Sequence, residues 1–135
     1  MIKKPMQDAL CEQIRYEMES GHLYLAMSAD FHSKNLAGMA RWMRVQAKEE
    51  LAHAMRIFDH VVERGGRVTL SALTEPKKEW RTPLEAFQAA HDHERMITGR
   101  IDTLVELAAK EKDHAAELFL HWFVFPAWSQ LSPPG

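Results

Sequence analysis

Cysteine is scarce in this chain. Cys11 stands alone among 135 residues, which excludes an internal disulfide framework and suits a reducing compartment. Neither charge sign dominates. Lys and Arg number 17 against 19 Asp and Glu, a formal net charge of −2, so the chain carries no electrostatic footprint for nucleic acid. No stretch approaches the roughly 18 apolar residues of a membrane span, and no charged-then-apolar leader opens the sequence. Tandem repeats, low-complexity tracts and the period-two alternation of exposed strands are missing too. What is present is a hydrophobic fraction of 46%, enough for the core of one domain. The expectation is a single soluble, cytoplasmic, all-α domain.

Apolar positions recur every three or four residues in four stretches. Residues 5–34 carry Met6, Leu10, Ile14, Glu17, Gly21, Tyr24, Ser28 and Phe31 on one stripe. "SKNLAG" interrupts it, with Asn35 suited to a left-handed C-cap. A second helix is predicted from about Leu36 to Arg64, with Met39, Met43, Gln46, Glu50, His53, Ile57 and Val61 on its stripe and Gly65–Gly66 ending it. Its large neighbours Trp42, Val45, Leu51, Met55 and Phe58 read as further core. Residues 67–81 read as irregular. "TPLE" then gives a helix start: Thr82 caps, Pro83 takes the first helical position and Glu85 completes a capping box. The third stripe reads Leu84, Phe87, His91, Glu94, Thr98, Ile101, Val105, Ala108. A fourth helix begins near Asp113, and Pro126 is expected to stop it. The pattern predicts a four-helix bundle with a long crossover between its second and third helices.

Three of these stripes hold carboxylates where the core should be: Glu17, Glu50 and Glu94, with His53 one turn beyond Glu50. At a rise of 1.5 Å per residue, Glu17 lies 18 residues before the turn at 35, and Glu50 and His53 lie 15 and 18 after it. The crossover can span over ~50 Å at about 3.3 Å per residue, more than the ~42 Å of a 28-residue helix. The second and third helices can therefore run parallel, which brings Glu94 to the same height. Buried together, such charges repel and lose hydration worth several kcal/mol each; a cation removes both costs. Carboxylates with one imidazole suit Fe(II), Mn(II) or Zn(II), and a metal pair bridged by Glu50 fits. Glu49 sits about 100° off this stripe. It is an outer ligand or simply solvated.

Weighed singly, these features are weak. A lone Glu on a stripe is usually a boundary residue, and the second Glu-x-x-His match, Glu19 to His22, lies on another face. His91, His93, His114 and His121 read as ordinary polar or packing residues, the eight Met as core filler, and Tyr24 as a packed phenol that touches the site. The combination across three helices at one height is what points to a metal.

"EQIRYEMESGHLYLAMSADFHSKNLAGMARWMRVQAKEELAHAMRIFDHVVERGGRV" resembles the first two helices of ferritins, "WRTPLEAFQAAHDHE" the start of their third and "FLHWFV" part of their fourth. By eye the bacterial non-haem ferritins are nearest, and the likeness covers about residues 5–124. It implies that Glu17, Glu50 and His53 hold a first iron, that Glu50 bridges, that Glu94 serves a second iron, that Tyr24 neighbours the site and that Glu49 serves an accessory third iron. It further implies oxidation of Fe(II) by oxygen or hydrogen peroxide and ferric storage in a hollow 24-subunit shell.

The likeness stops after Val124. "FPAWSQLSPPG" replaces a Glu/Gln-rich continuation and a short fifth helix, and reads as a truncated, frame-shifted or naturally short end. Division into a ferritin-like di-iron domain, 1–124, and a divergent non-helical tail, 125–135, is expected, with a shortened fourth helix and no fifth. A ligand facing Glu94 belongs near 128, where Trp128 stands; Gln130 is the polar side chain nearby. Dimers or heterogeneous oligomers are then expected more readily than a uniform shell. Two other readings stand beside the ferroxidase: a non-catalytic helical scaffold that keeps the ligands, and a rubrerythrin-like di-iron peroxidase, for which a fourth-helix ligand set and a Cys-rich domain are missing.

Overall fold

Each stretch of 3.6-residue periodicity folds as a helix in the computed structural model, which describes residues 1–128 and the side chains of residues 1–123. The order is α1 (Lys4–Ser33), α2 (Ala37–Glu63), α3 (Pro83–Lys110) and α4 (His114–Trp128), with no strand among the described residues. All eight stripe residues of α1 are buried. No helix among the described residues is long and apolar enough to cross a membrane.

The first three helices end alike. Asn35, Gly65 and Lys112 take left-handed φ of 61°, 74° and 54°. In each case the next N–H donates to the carbonyl five residues back: Leu36 to Phe31, Gly66 to Val61 and Asp113 to Ala108. This closure satisfies carbonyls that the helix itself leaves unpaired. Asp113 then caps α4, accepting from the Ala116 N–H at 3.0 Å, and its carboxylate takes a 2.9 Å bond from Arg64. The end of α2 is thereby tied to the start of α4. Thr82 accepts from the Glu85 N–H at 3.1 Å as expected, but the Glu85 carboxylate turns outward to Lys77 rather than completing the capping box.

The crossover, residues 64–82, is pinned along α1. Arg67 N–H donates to Gln7, Thr74 N–H to Glu19 and Trp80 N–H to Asp30. Because the anchors climb from residue 7 to residue 30 of α1, the chain returns to the end where α2 began. So α2 and α3 run parallel, and Trp80 is buried as the upper stop of the segment.

Three expectations need correction. Val45, Leu51 and Met55 are exposed, at 53%, 38% and 45%; they form a second apolar face of α2 that points away from the bundle. On α3 the buried stripe is Ala86, Ala90, Glu94, Ile97, Ile101, Leu104, Ala108, while Leu84, His91 and Val105 face out. The expected stripe follows the large apolar residues, whereas Ala86 and Ala90 occupy the buried positions, and alanine carries little weight in a periodicity. Pro126 does not stop α4, which continues to Trp128. A proline removes one N–H and crowds one carbonyl, and the helix tolerates that single defect in its last turn. Residues 125–128 of the expected non-helical tail are thus helical, while the rest of that tail, Gln130 included, lies outside the described residues. At 15 residues α4 is about half the length of α1, which has 30.

The apolar core falls into two clusters. One holds Met6, Leu10, Ile14, Ile57, Ile101, Leu120 and Phe123. The other holds Tyr24, Met27, Phe31, Met43, Trp80 and Ala90. The heights between them, residues 17–20 of α1, 50–53 of α2 and 94 of α3, hold the buried Glu17, Glu50, His53 and Glu94.

Candidate metal centre

Close approach of α1 and α2 builds the polar layer. A Cβ added to Gly21 would stand 3.2 Å from the Ala47 carbonyl oxygen and 3.1 Å from Leu51 Cγ, so glycine permits an interhelical distance that alanine would widen. One turn away, Glu17 of α1 meets Glu50 and His53 of α2. All three are buried, and they offer one ligand atom each within 4.8 Å of one another. His53 Nδ1 lies 3.3 Å from Glu50 Oε2 and 3.8 Å from Glu17 Oε2. Glu94 of α3, also buried, receives a 2.6 Å hydrogen bond from the Tyr24 hydroxyl.

Three atoms in this layer are orphaned. Glu17 Oε2, Glu50 Oε2 and His53 Nδ1 are buried without a hydrogen-bond partner, although the ion-pair distances between them are short. Leaving such a group unpaired costs about 1–3 kcal/mol, more when it is charged. Three converging orphans, two oxygen and one nitrogen, match the donor set of a borderline divalent cation. The residues fit the metal that the spacing predicts.

Burial and the Glu17 and Glu94 carboxylates push Glu50 far above the usual carboxylate range. Burial acts on Glu17 in the same sense, but the polar neighbours His53, Glu50 and Gln13 outweigh it and hold Glu17 below its ordinary value. The pair therefore binds a proton well above the usual carboxylate range in metal-free protein. Burial and the Glu94 and Glu50 charges raise the Tyr24 phenol, which stays a donor at neutral pH.

A sign follows for stability. A carboxyl whose folded pKa exceeds its unfolded value of about 4.3 stabilises the fold below that value. This contribution is lost as pH rises toward the folded pKa. In metal-free protein, Glu50→Gln should therefore raise the melting temperature at pH 8, by the equivalent of about 1–4 kcal/mol, and raise it less at pH 5. The same variant should lose most of the stabilisation that added divalent metal gives the wild type. Melts at both pH values, with and without metal, check this; no difference between the two proteins at pH 8 would mean that Glu50 carries no such proton.

The remaining candidates sort clearly. Glu49 is half-buried and falls outside the three-residue cluster. His22, His91, His114 and His121 are exposed. His93 is half-buried, with Nε2 2.7 Å from Ser20 Oγ. Sequence reasoning missed two contacts. Gln13, fully inside the bundle, donates to Glu17 Oε1 at 3.2 Å; its position four residues before Glu17 on the same helix was the available signal. Phe123 of α4 meets the His53 ring edge-on at 5.1 Å, which no residue-type pattern announces.

Against proteins already known, residues 7–125 match the model of the ferritin-like domain family. The chain belongs to the ferritin family. Relatives include the bacterial non-heme ferritin of Bacteroides fragilis, 41% identical over 92% of this chain and 78% of the relative. A probable bacterial non-heme ferritin-like protein of Haemophilus influenzae is 33% identical over 92% of this chain and 75% of its own length. Among solved structures, the open pore ferritin of Archaeoglobus fulgidus superposes with a TM-score of 0.94 at 48% identity, covering 97% of this chain and 81% of the other. Chlorobium tepidum ferritin gives 0.93 at 37%, covering 97% and 80%. The ferritin fold of this chain, an all-α bundle with the long crossover, is the one that the periodicity and the resemblance led us to expect.

Proposed function

We propose that this ferritin binds Fe(II) in the polar layer, oxidises it there and passes Fe(III) to storage. The observation that carries the reading is the convergence of the three orphaned ligand atoms of Glu17, Glu50 and His53 within 4.8 Å in a buried mid-bundle layer. Glu17, Glu50 and His53 hold one iron, and Glu50 with Glu94 holds a second. Tyr24 orients the Glu94 carboxylate through its 2.6 Å bond. Glu49, on the rim, serves a third, accessory iron. Two Fe(II) each give one electron to dioxygen, which with two protons leaves as hydrogen peroxide; hydrogen peroxide itself, taking two electrons and two protons, leaves as two waters. Proximity of the two irons is what turns two one-electron losses into one two-electron reduction.

Self-association belongs to the proposal. Leu25, Val45, Leu51 and Met55 expose apolar surface on the outer face of the α1–α2 pair, the kind of patch that marks a protein contact. That face also favours a second reading, an assembly subunit that binds iron without oxidising it. Anaerobic Fe(II) titration followed by admission of air separates the two. Saturable binding, oxygen uptake and a ferric absorbance that track each other support the ferroxidase; binding without oxygen uptake leaves the scaffold. Binding no tighter than that of a Glu17→Ala, Glu50→Ala, His53→Ala triple variant would remove both.

A further inference from the structure

Between α1 and α3 the surface opens into a cleft of about 150 Å³ whose wall includes Tyr16, Leu104 and Leu107 and whose inner wall includes Gln13. Gln13 is 2% exposed, and its amide touches Glu17. One side chain thus lies between this cleft and a carboxylate of the polar layer. We propose that the cleft is the path by which a small neutral oxidant, of the dioxygen or hydrogen peroxide class, reaches the Glu17 side of the centre, and that Gln13 closes it. The inference rests on the ferroxidase reading given above.

Charge at the mouth decides what passes. Glu12 lines the cleft and is paired with Arg15, which also bridges to Glu19 at 2.9 Å. Arg100 lies 3.6 Å above the Tyr16 ring and Arg15 4.3 Å from it. The carboxylates are thus matched by guanidinium groups and form no acidic funnel that would concentrate Fe(II). The remaining wall is uncharged and largely apolar, with Ala9, Tyr16, Leu104 and Leu107, and the space suits about five waters at ~30 Å³ each or one small molecule. A neutral diatomic molecule or peroxide pays no large desolvation cost there, whereas a divalent ion does. Gln13 serves as the closing group because an amide is uncharged. Its Nε2–H₂ holds Glu17 Oε1 and leaves Oε2 toward His53, and rotation about its side-chain bonds uncovers the carboxylate without breaking the helix.

Ala9 and Thr103 also line the cleft and are not among the ligand residues of the polar layer, so Ala9→Phe and Thr103→Trp serve as plugs. The probes are xenon for the empty path and nitric oxide for the loaded centre. Crystals of the metal-free protein under xenon should show the gas beside Gln13 in the wild type and not in Ala9→Phe. In stopped flow with Fe(II)-loaded protein, the second-order rate of nitric oxide binding should fall at least 10-fold in both plugged variants, with anaerobic Fe(II) affinity unchanged. Gln13→Ala should speed it. An unchanged nitric oxide rate in both plugs overturns the path while leaving the ferroxidase reading intact. If the protein binds no Fe(II), that reading fails on its own, and absence of xenon beside Gln13 still overturns the path independently.

Discussion

Replacing His53 by alanine should weaken the tighter Fe(II) site by well over the roughly 10- to 100-fold that outer-shell changes cost a metal centre. His53 supplies the one nitrogen of the cluster, and its Nδ1 faces both carboxylates without a hydrogen bond to either. A ferrous ion bound by Glu17 and Glu50 alone would lose its borderline-soft donor and keep two hard oxygens, one of which must still shed a proton. The metal-free fold should change far less. The substitution leaves a void beside Phe123, whose ring packs 5.1 Å from the imidazole, but it also removes an orphaned buried nitrogen, and the two effects oppose each other. Anaerobic calorimetry against the melting temperature of metal-free protein distinguishes the cases. Unchanged Fe(II) affinity would remove His53 from the centre; equal losses of affinity and stability would make it a packing residue.

How much of this was legible in sequence depends on what each residue has to do. Glu17, Glu50, His53 and Glu94 stood out because buried charge is rare and because helical rise converts sequence distance directly into height. Asn35 was readable as a left-handed cap, since asparagine tolerates that conformation; Lys112 was not, since lysine seldom adopts it, and the Asp113 N–H bond to the Ala108 carbonyl that closes the turn is visible only in the structure. The α3 stripe was misread at both ends. Periodicity by itself fixes a stripe only to within one residue, and alanine gives it no weight even where close packing selects it. Val45, Leu51 and Met55 read as core for the converse reason: in sequence, an apolar residue on an exposed helix face looks like one that faces its own bundle. The contact of Gln13 with Glu17 had a sequence signal, the i, i+4 spacing, but a glutamine on a helix is most often solvated, so its burial needed coordinates.

The two metal positions should be strongly unequal. Among the described residues, α4 turns Leu120 and Phe123 into the bundle and sets Phe119 against His60 at 4.2 Å, so no carboxylate of α4 reaches the polar layer there. Further along, residues 125–135 contain no Asp, Glu or His. By height, the partner of Glu94 belongs about 17 residues past the turn at 111, at Trp128. In the proposed centre the first iron would therefore have Glu17, Glu50 and His53, while among the described residues the second would have the shared Glu50 and Glu94. Ligand count and rigidity set affinity in such sites. Two carboxylates, one with an oxygen already engaged by Tyr24, should hold Fe(II) more weakly than the set of three by at least the roughly 10- to 100-fold that even outer-shell changes cost. Oxidation needs both irons at once, so its rate should keep rising with Fe(II) concentration after the first site is full. Exchanging residues 125–135 for a Glu-rich helical segment of the family type should bring a second tight Fe(II) per chain and faster oxygen uptake. Two equally tight Fe(II) in the unmodified protein, with rapid oxidation that saturates at two per chain, would show that the centre is complete without a carboxylate from α4.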